Sequence, residues 1–299
     1  MIYKTYKCNS FNVHTIKTDK FKTAHMEIMF RKSVVKEELC AYTFLMDMLS
    51  ESCCKYKTKR DLIVRFEELY KASCYGITVK TGNVLNSTMV VDFINPKFID
   101  EDNYLEEVLK LPIDMLQSPN VVNEEFDLKQ FNIVKERLIR DINSIKDNAF
   151  KYAIRNAFNV MDKNSPTAFS ILGTLEDVER ITPASLYKTY KSLFKDCVCD
   201  IFVIGDMDMD EVVSIIRKHF KYRIINNTTL NLMVDNNVRK KAIVKSDKSE
   251  NIQANLVMLY NVLEVSEKEK HVTTQVFNYI FGNGGLTSKL YKSIREENS

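Results

Sequence analysis

Between Leu39 and Leu49 apolar side chains fall on almost every face of a helix: Leu39, Ala41, Tyr42, Phe44, Leu45, Met46, Met48 and Leu49. A helix at a protein surface keeps a polar face, so one that is apolar nearly all round has to be enclosed on more than one side. The remaining chain must therefore supply at least two layers, and the flanking runs identify one of them as a sheet. Phe11 to Thr18 and Thr23 to Phe30 alternate, with Val13, Ile16, Met26, Ile28 and Phe30 set among polar neighbours, the period of a half-buried strand. Gly76 to Val84 and Ser87 to Ile94 follow as an antiparallel pair around Gly82 and Asn86. The apolar helix itself is predicted to open near Ser33 or Lys36 and to end near Ser50.

Further elements follow in order. Thr58 and Asp61 have the spacing of a capping box and open a helix through Leu62, Phe66, Leu69 and Tyr70. Tyr104 to Leu116 reads as a helix interrupted at Pro112. From about Asp127 to Met161, Leu128, Phe131, Val134, Leu138, Ile142, Ile145, Ala149 and Tyr152 recur at helical spacing. That pattern predicts one long helix lying along the sheet, with a polar edge at Arg140 and Asp141. Thr182-Pro183 is a helix start, Cys197 to Ile204 is a continuous apolar strand suited to the middle of a sheet, and Asp208 caps a helix through Val212, Ile215, Ile216 and Phe220.

The stretch 224–240, rich in Asn and Thr, is predicted to be a linker between a first domain at 1–223 and a second at 241–299. The second begins with a strand-like run, Gln253 to Tyr260, and a helix from about Ser266 through Val272, Val276 and Ile280. Glycines at 282, 284 and 285 then break the chain before another helix at Ser288 to Glu296. So short a second half cannot close a domain like the first, and the sequence reads as cut short. The predicted fold is α+β: an antiparallel-rich sheet of about five or six strands with helices packed on one face, as two related repeats, the second incomplete.

Composition excludes several classes of function. Forty-three basic and 40 acidic residues leave a net charge of +3, spread along the chain, which argues against nucleic acid or an anionic membrane as partner. The basic run Lys55 to Arg60 reads as a solvated loop ahead of a helix. None of the seven cysteines shows C-x-x-C spacing, and Cys53-Cys54 and Cys197-x-Cys199 are read as reduced thiols. The first residues lack the apolar core of a signal peptide, and no apolar run approaches the roughly 18 residues of a membrane span. A cytoplasmic, soluble protein is expected.

Several stretches together resemble the insulinase-like metallopeptidases, the family of pitrilysin and mitochondrial processing peptidase. They are Ser165-Pro-Thr-Ala-Phe-Ser-Ile-Leu-Gly173-Thr, then Val178, Ile181, Thr182 and Pro183, then Phe202-Val-Ile-Gly-Asp-Met-Asp208, closed by Ile216 and Phe220. Gly284-Gly285-Leu286-Thr287-Ser288-Lys289-Leu290-Tyr291 with Ile294, Arg295 and Glu296 is similar to the glycine-rich turn and helix of the family's second repeat. Thr18 to Thr23 resembles a bacterial non-catalytic branch.

The resemblance implies a zinc centre in active members, built from an inverted H-x-x-E-H motif on the first helix and a glutamate from a later one. Such a centre needs nitrogen or oxygen ligands around the metal and a carboxylate to take a proton from the attacking water. At the matching positions this chain has Thr43, Met46 and Asp47, with Asp141, preceded by Arg140, near the third ligand. Threonine is a poor zinc ligand and methionine cannot act as a base. No catalytic residue and no metal site is therefore predicted, and Asp47 is expected to reach a nearby donor such as Arg140. The four histidines, His14, His25, His219 and His271, do not replace the missing ligands.

Arg295 matches an arginine that binds substrate in the family together with a tyrosine at a position corresponding to 302, and Gly284 and Gly285 match the adjacent turn. The resemblance thus implies a peptide- or protein-binding subunit without cofactor, binding peptide or unfolded polypeptide and pairing with a zinc-bearing paralogue. Two other readings stay open: a divergent zinc-dependent metallopeptidase using Asp47 and Asp141, and a structural self-dimer that binds no peptide.

Overall fold

The computed structural model describes residues 1–8, 10–221, 230–232, 241–248, 254–260 and 266–298. The chain divides into two compact units, the larger beginning at Met1 and the smaller carrying the helices from Glu267 onward. The linker expected over 224–240 lies outside the described residues except for 230–232.

The larger unit opens with strands β1 (Ile2–Lys7), β2 (Asn12–Lys17) and β3 (Thr23–Ser33), then helix α1 (Leu39–Leu49) behind a 3-10 turn, and α2 (Lys59–Glu68). A hairpin of β4 (Ser73–Thr81) and β5 (Val84–Ile94), helix α3 (Tyr104–Gln117) and the short pair β6 (Val121–Val122) and β7 (Glu125–Phe126) follow. Helices α4 (Leu128–Ser144), α5 (Ala149–Asp162), α6 (Leu175–Arg180) and α7 (Pro183–Asp196) lead to β8 (Val198–Gly205) and α8 (Met209–His219). Six strands form one sheet in the order β1-β2-β8-β3-β5-β4, antiparallel throughout except for the parallel β2–β8 pair.

Alternation along β3 decides which face is covered. Ala24, Met26, Ile28 and Phe30 are buried under helices, whereas His25, Glu27, Met29 and Arg31 on the other face stay half-exposed. The apolar β8 is central, as its composition predicts, and its Cys199, Ile201 and Val203 join the buried cluster. On the covered face α1 lies over β4 and β5, α3 over β5 and α8 over β2; α4, α6 and α7 pack on α1 from the other side. The enclosure demanded by the apolar surface of α1 is met in this way, with Phe44 stacked on Phe131 of α4 at 4.7 Å between ring centres.

Local signals explain the boundaries. The box at Thr58 and Asp61 forms in both directions, as does one at Thr182 and Ser185, and Asp208 accepts from two amides of α8. Four expectations are corrected. Pro112 does not interrupt α3, because the buried Val108, Leu109, Leu111, Ile113, Met115 and Leu116 around it outweigh the roughly 3 kcal/mol cost of an interior proline. The long helix predicted from Asp127 to Met161 is two, broken after Ser144 and restarted where Asn148 caps α5 by accepting from the Lys151 amide. Its first half lies on α1, α6 and β7 rather than along the sheet. The turn between β4 and β5 is Gly82-Asn83, with Gly82 at φ +56, so Asn86 is already inside β5.

In the smaller unit α9 (Glu267–Asn278) runs into a π-helical turn (Tyr279–Asn283), and Ser288 caps the short helix α10 (Lys289–Tyr291), which continues as a second π turn (Lys292–Glu296). Residues 254–260 form no strand, contrary to the strand expected from Gln253 to Tyr260, whose first residue lies outside the described ones. Among the described residues no helix is long and apolar enough to cross a membrane.

Candidate functional site

The positions of the inverted motif sit on α1 where it crosses the edge strand β4 at close range. A Cβ placed on Gly76 of β4 would lie 2.4 Å from the Met46 carbonyl oxygen, so only glycine allows this approach. Ser50 completes the contact: its hydroxyl accepts from the Gly76 amide at 2.6 Å and donates to the Met46 carbonyl at 2.8 Å.

Each of the side chains expected at the ligand positions is otherwise engaged. The Thr43 hydroxyl lies 2.7 Å from the Ile171 carbonyl and 3.1 Å from that of Leu39, so its one proton ties the 169–173 segment to the helix. The same segment meets α1 again at Gly173, where φ is +69 and an added Cβ would lie 2.7 Å from that of Cys40. Met46 is 1% exposed, a packed core side chain. Asp47 lies 3.9 Å from Arg137, whose guanidinium also donates to Glu51 at 3.0 Å. The expected partner, Arg140, is instead exposed beside Asp141 on the polar edge of α4, because Arg137, one turn earlier, is the arginine that faces α1. Burial pushes the Asp47 carboxyl above its ordinary value; Arg137 opposes this, and the charges of Asp141 and Glu51 add to it.

These residues do not fit zinc. A threonine hydroxyl committed to backbone carbonyls, a buried thioether and one carboxylate beside a guanidinium leave no set of donors that could converge on the ion. Among the described residues no group of three or more His, Cys, Asp or Glu could hold a metal. His14, His25 and His219 face carboxylates of Asp200, Asp92 with Glu27, and Glu106 respectively, and His271 belongs to α9.

What the sequence did not disclose lies next to this position. Among the described residues β4 is the outermost strand of the sheet, with β5 as its one strand partner. Beyond Gly76 it borders a groove of about 470 Å³ lined by Lys80, Arg155, Phe158, Phe169, Ile171 and Leu172, together with small polar side chains. The Ile171 that lines it is the residue whose carbonyl meets Thr43, so the groove runs beside this part of α1. The Lys80 ammonium donates to the carbonyls of Pro166 and Phe169, and burial draws its pKa down to about 8. A second cavity, of about 350 Å³, shares Arg155 with the first. One signal was available for Lys80: it continues the inward phase of Cys74, Gly76 and Thr78 along β4, an unusual place for a lysine. Nothing in the spacing of α5 marked Arg155.

In the smaller unit Gly284 approaches the Tyr279 carbonyl so closely that a Cβ would lie 2.4 Å from its oxygen, while Gly285 has φ +58 and open space around it. Arg295 is exposed, with its guanidinium 5.6 Å from the centre of the Tyr291 ring.

Comparison with known proteins agrees with a scaffold kept without its chemistry. The family model described as the Peptidase M16 inactive domain matches residues 180–299. The Bacillus subtilis (strain 168) protein named probable inactive metalloprotease YmfF is 28% identical over 296 residues, covering 98% of this chain and 68% of that protein. A second protein of that strain, named uncharacterized zinc protease YmfH, is 25% identical over 115 residues, covering 38% of this chain and 26% of its own length. A conserved protein from Enterococcus faecalis V583 has the same fold at TM-score 0.77 and 23% identity, covering 99% of this chain and 69% of that one. The peptidase M16 inactive domain from Pseudomonas fluorescens is similar at TM-score 0.69 and 13% identity, covering 99% and 68%. The family model over residues 180–299 and the likeness of nearly the whole chain to a relative named as inactive make this chain similar to the non-catalytic branch of the insulinase-like M16 peptidases.

Proposed function

We propose that the chain is a non-catalytic subunit that binds peptide or unfolded polypeptide in an extended conformation and pairs with a zinc-bearing relative in the cytoplasm. The observation that carries the reading is the edge of β4, which pairs with no further strand among the described residues, running into the groove beside Thr43. An extended peptide can add to such an edge through its backbone and set alternate side chains into adjoining pockets. Tyr75, Ile77 and Val79, exposed by 43–44% on the outer face of β4, would give such a peptide apolar neighbours. Thr43, Met46 and Asp47 leave the same place able to hold a chain but without a metal, a base or a nucleophile to cut it.

Pairing is supported by the matches in Bacillus subtilis, where one relative is named as inactive and another as a zinc protease. Cysteines that are all free among the described residues agree with a reducing compartment. Arg295, Gly284 and Gly285 enter the proposal as peptide-binding residues of the smaller unit, on the family resemblance and the exposure of Arg295.

The test is co-expression with the zinc-bearing relative from the same genome, followed by light scattering and peptide-binding anisotropy. A one-to-one complex that binds unstructured peptides is expected. A chain that forms only a self-dimer and binds no peptide would overturn the reading.

A further inference from the structure

Of the eleven residues that line the groove along β4, two are cationic, Lys80 and Arg155, and none carries a carboxylate. The partners of the Lys80 ammonium are neutral carbonyl oxygens of the 166–169 turn, with the Phe169 ring 6.0 Å away. Lys36 lies over the other side of this region, 5.2 Å from the centre of the same ring. Burial is what draws the Lys80 pKa down, and among the described residues no carboxylate forms an ion pair with it. Arg155 is half-buried on α5, makes no ion pair among the described residues, and stands where the two cavities meet. A cation withdrawn from water without a counter-charge is costly, and a group that supplies the missing negative charge recovers that cost on binding.

We propose that the groove selects extended peptides bearing an acidic side chain, Glu or Asp, whose carboxylate enters between Lys80 and Arg155 while flanking apolar residues pack on Phe158, Phe169 and Leu172. This inference rests on the peptide-binding reading above and names the class of peptide. Charge complementarity selects this occupant: an acidic peptide meets two positive groups and no negative one, whereas a basic peptide would add repulsion to desolvation. A guanidinium supplies paired donors to a carboxylate and the ammonium a single strong charge, so the two together also fix its orientation.

The experiment uses the full chain and two pools of short fluorescein-labelled peptides, amidated at the C-terminus and identical except for a central Glu in one and a central Gln in the other. Anisotropy should give an affinity about tenfold or more higher for the Glu pool, in the range measured for buried charge pairs. Arg155→Gln and Lys80→Met should each remove that preference, bringing the ratio of the Glu-pool to the Gln-pool affinity down to about one. Because Lys80 also holds the 166–169 turn, Lys80→Arg serves as the second variant: it keeps the charge and should keep the preference. Equal binding of both pools to the wild-type chain would overturn the carboxylate selectivity and leave peptide binding standing. Binding of neither pool would overturn both.

Discussion

Gly76→Ala places a methyl group where the structure has none to spare. The new Cβ would lie 2.4 Å from the Met46 carbonyl oxygen and 2.9 Å from both its carbon and the Ser50 hydroxyl. Two of these three atoms are helix backbone, so no rotamer change relieves the contact and α1 has to move off β4. Yet α1 is enclosed by α4, α6 and α7 on its other side. Overpacking of this kind costs about 1–3 kcal/mol. Displacing Ser50 also breaks its 2.6 Å bond from the Gly76 amide, and leaving that amide without a partner costs about 1–3 kcal/mol more. The sum, roughly 2–6 kcal/mol, is a large share of the 5–15 kcal/mol by which domains are stable. At about 2–4 °C per kcal/mol for a unit of this size, it corresponds to a loss of roughly 4–24 °C in Tm. Differential scanning calorimetry measures it, with Ser50→Ala as the control that removes the hydrogen bonds without the clash and should lose less. A Gly76→Ala protein melting within about 2 °C of wild type would refute the close crossing of α1 and β4, and with it the placement of the degenerate motif beside the groove.

Other expected outcomes concern the same region and the sheet. Thr43→Val, which keeps the shape and removes the hydroxyl, leaves the Ile171 carbonyl without this donor and should cost about 1–2 kcal/mol; hydrogen exchange should rise in 169–173 while that of the central strands is unchanged. Asp47 carries a carboxyl whose folded-state pKa is raised, so its ionised form destabilises the fold above that pKa and the penalty fades as pH falls toward the unfolded value. Asp47→Asn should therefore melt higher than wild type near neutral pH, with the two converging in acid. His25 is raised to about 9, chiefly by its hydrogen bond to Glu27 and, against desolvation, by Asp92. Its contribution to stability is complete below the unfolded value near 6.5 and is lost as pH rises through 9, so His25→Ala should flatten the decline in Tm over that interval.

How far the fold was legible depended on whether a residue's burial left a trace in the local pattern. The alternating or continuous apolar strands β2, β3, β5 and β8, the capping box at Thr58, the cap at Thr182 and the enclosed helix at 39–49 all did. β1 left none, since all its residues but Tyr6 are exposed and no apolar phase develops. The break after Ser144 was hidden because Ile142, Ile145, Ala149 and Tyr152 keep helical spacing across it; only the Asn148 cap marks the restart. Pro112 shows the opposite error, a strong local signal overruled by burial. For the site, the residue types at 43, 46 and 47 could be read directly, but the choice of Arg137 over Arg140 depends on the rotation of α4 against α1. The groove joins residues of β4, α5 and the 167–172 segment, an association that exists only once the chain is folded.

The central claim is that α1 keeps the place of a zinc centre without its chemistry, and the most direct measurement is the zinc content of the purified full-length protein, taken together with its cleavage of an unstructured peptide. The account predicts zinc well below one per chain and no cleavage with or without added metal. One zinc per chain with chelator-sensitive cleavage that is lost in Asp47→Ala would contradict it.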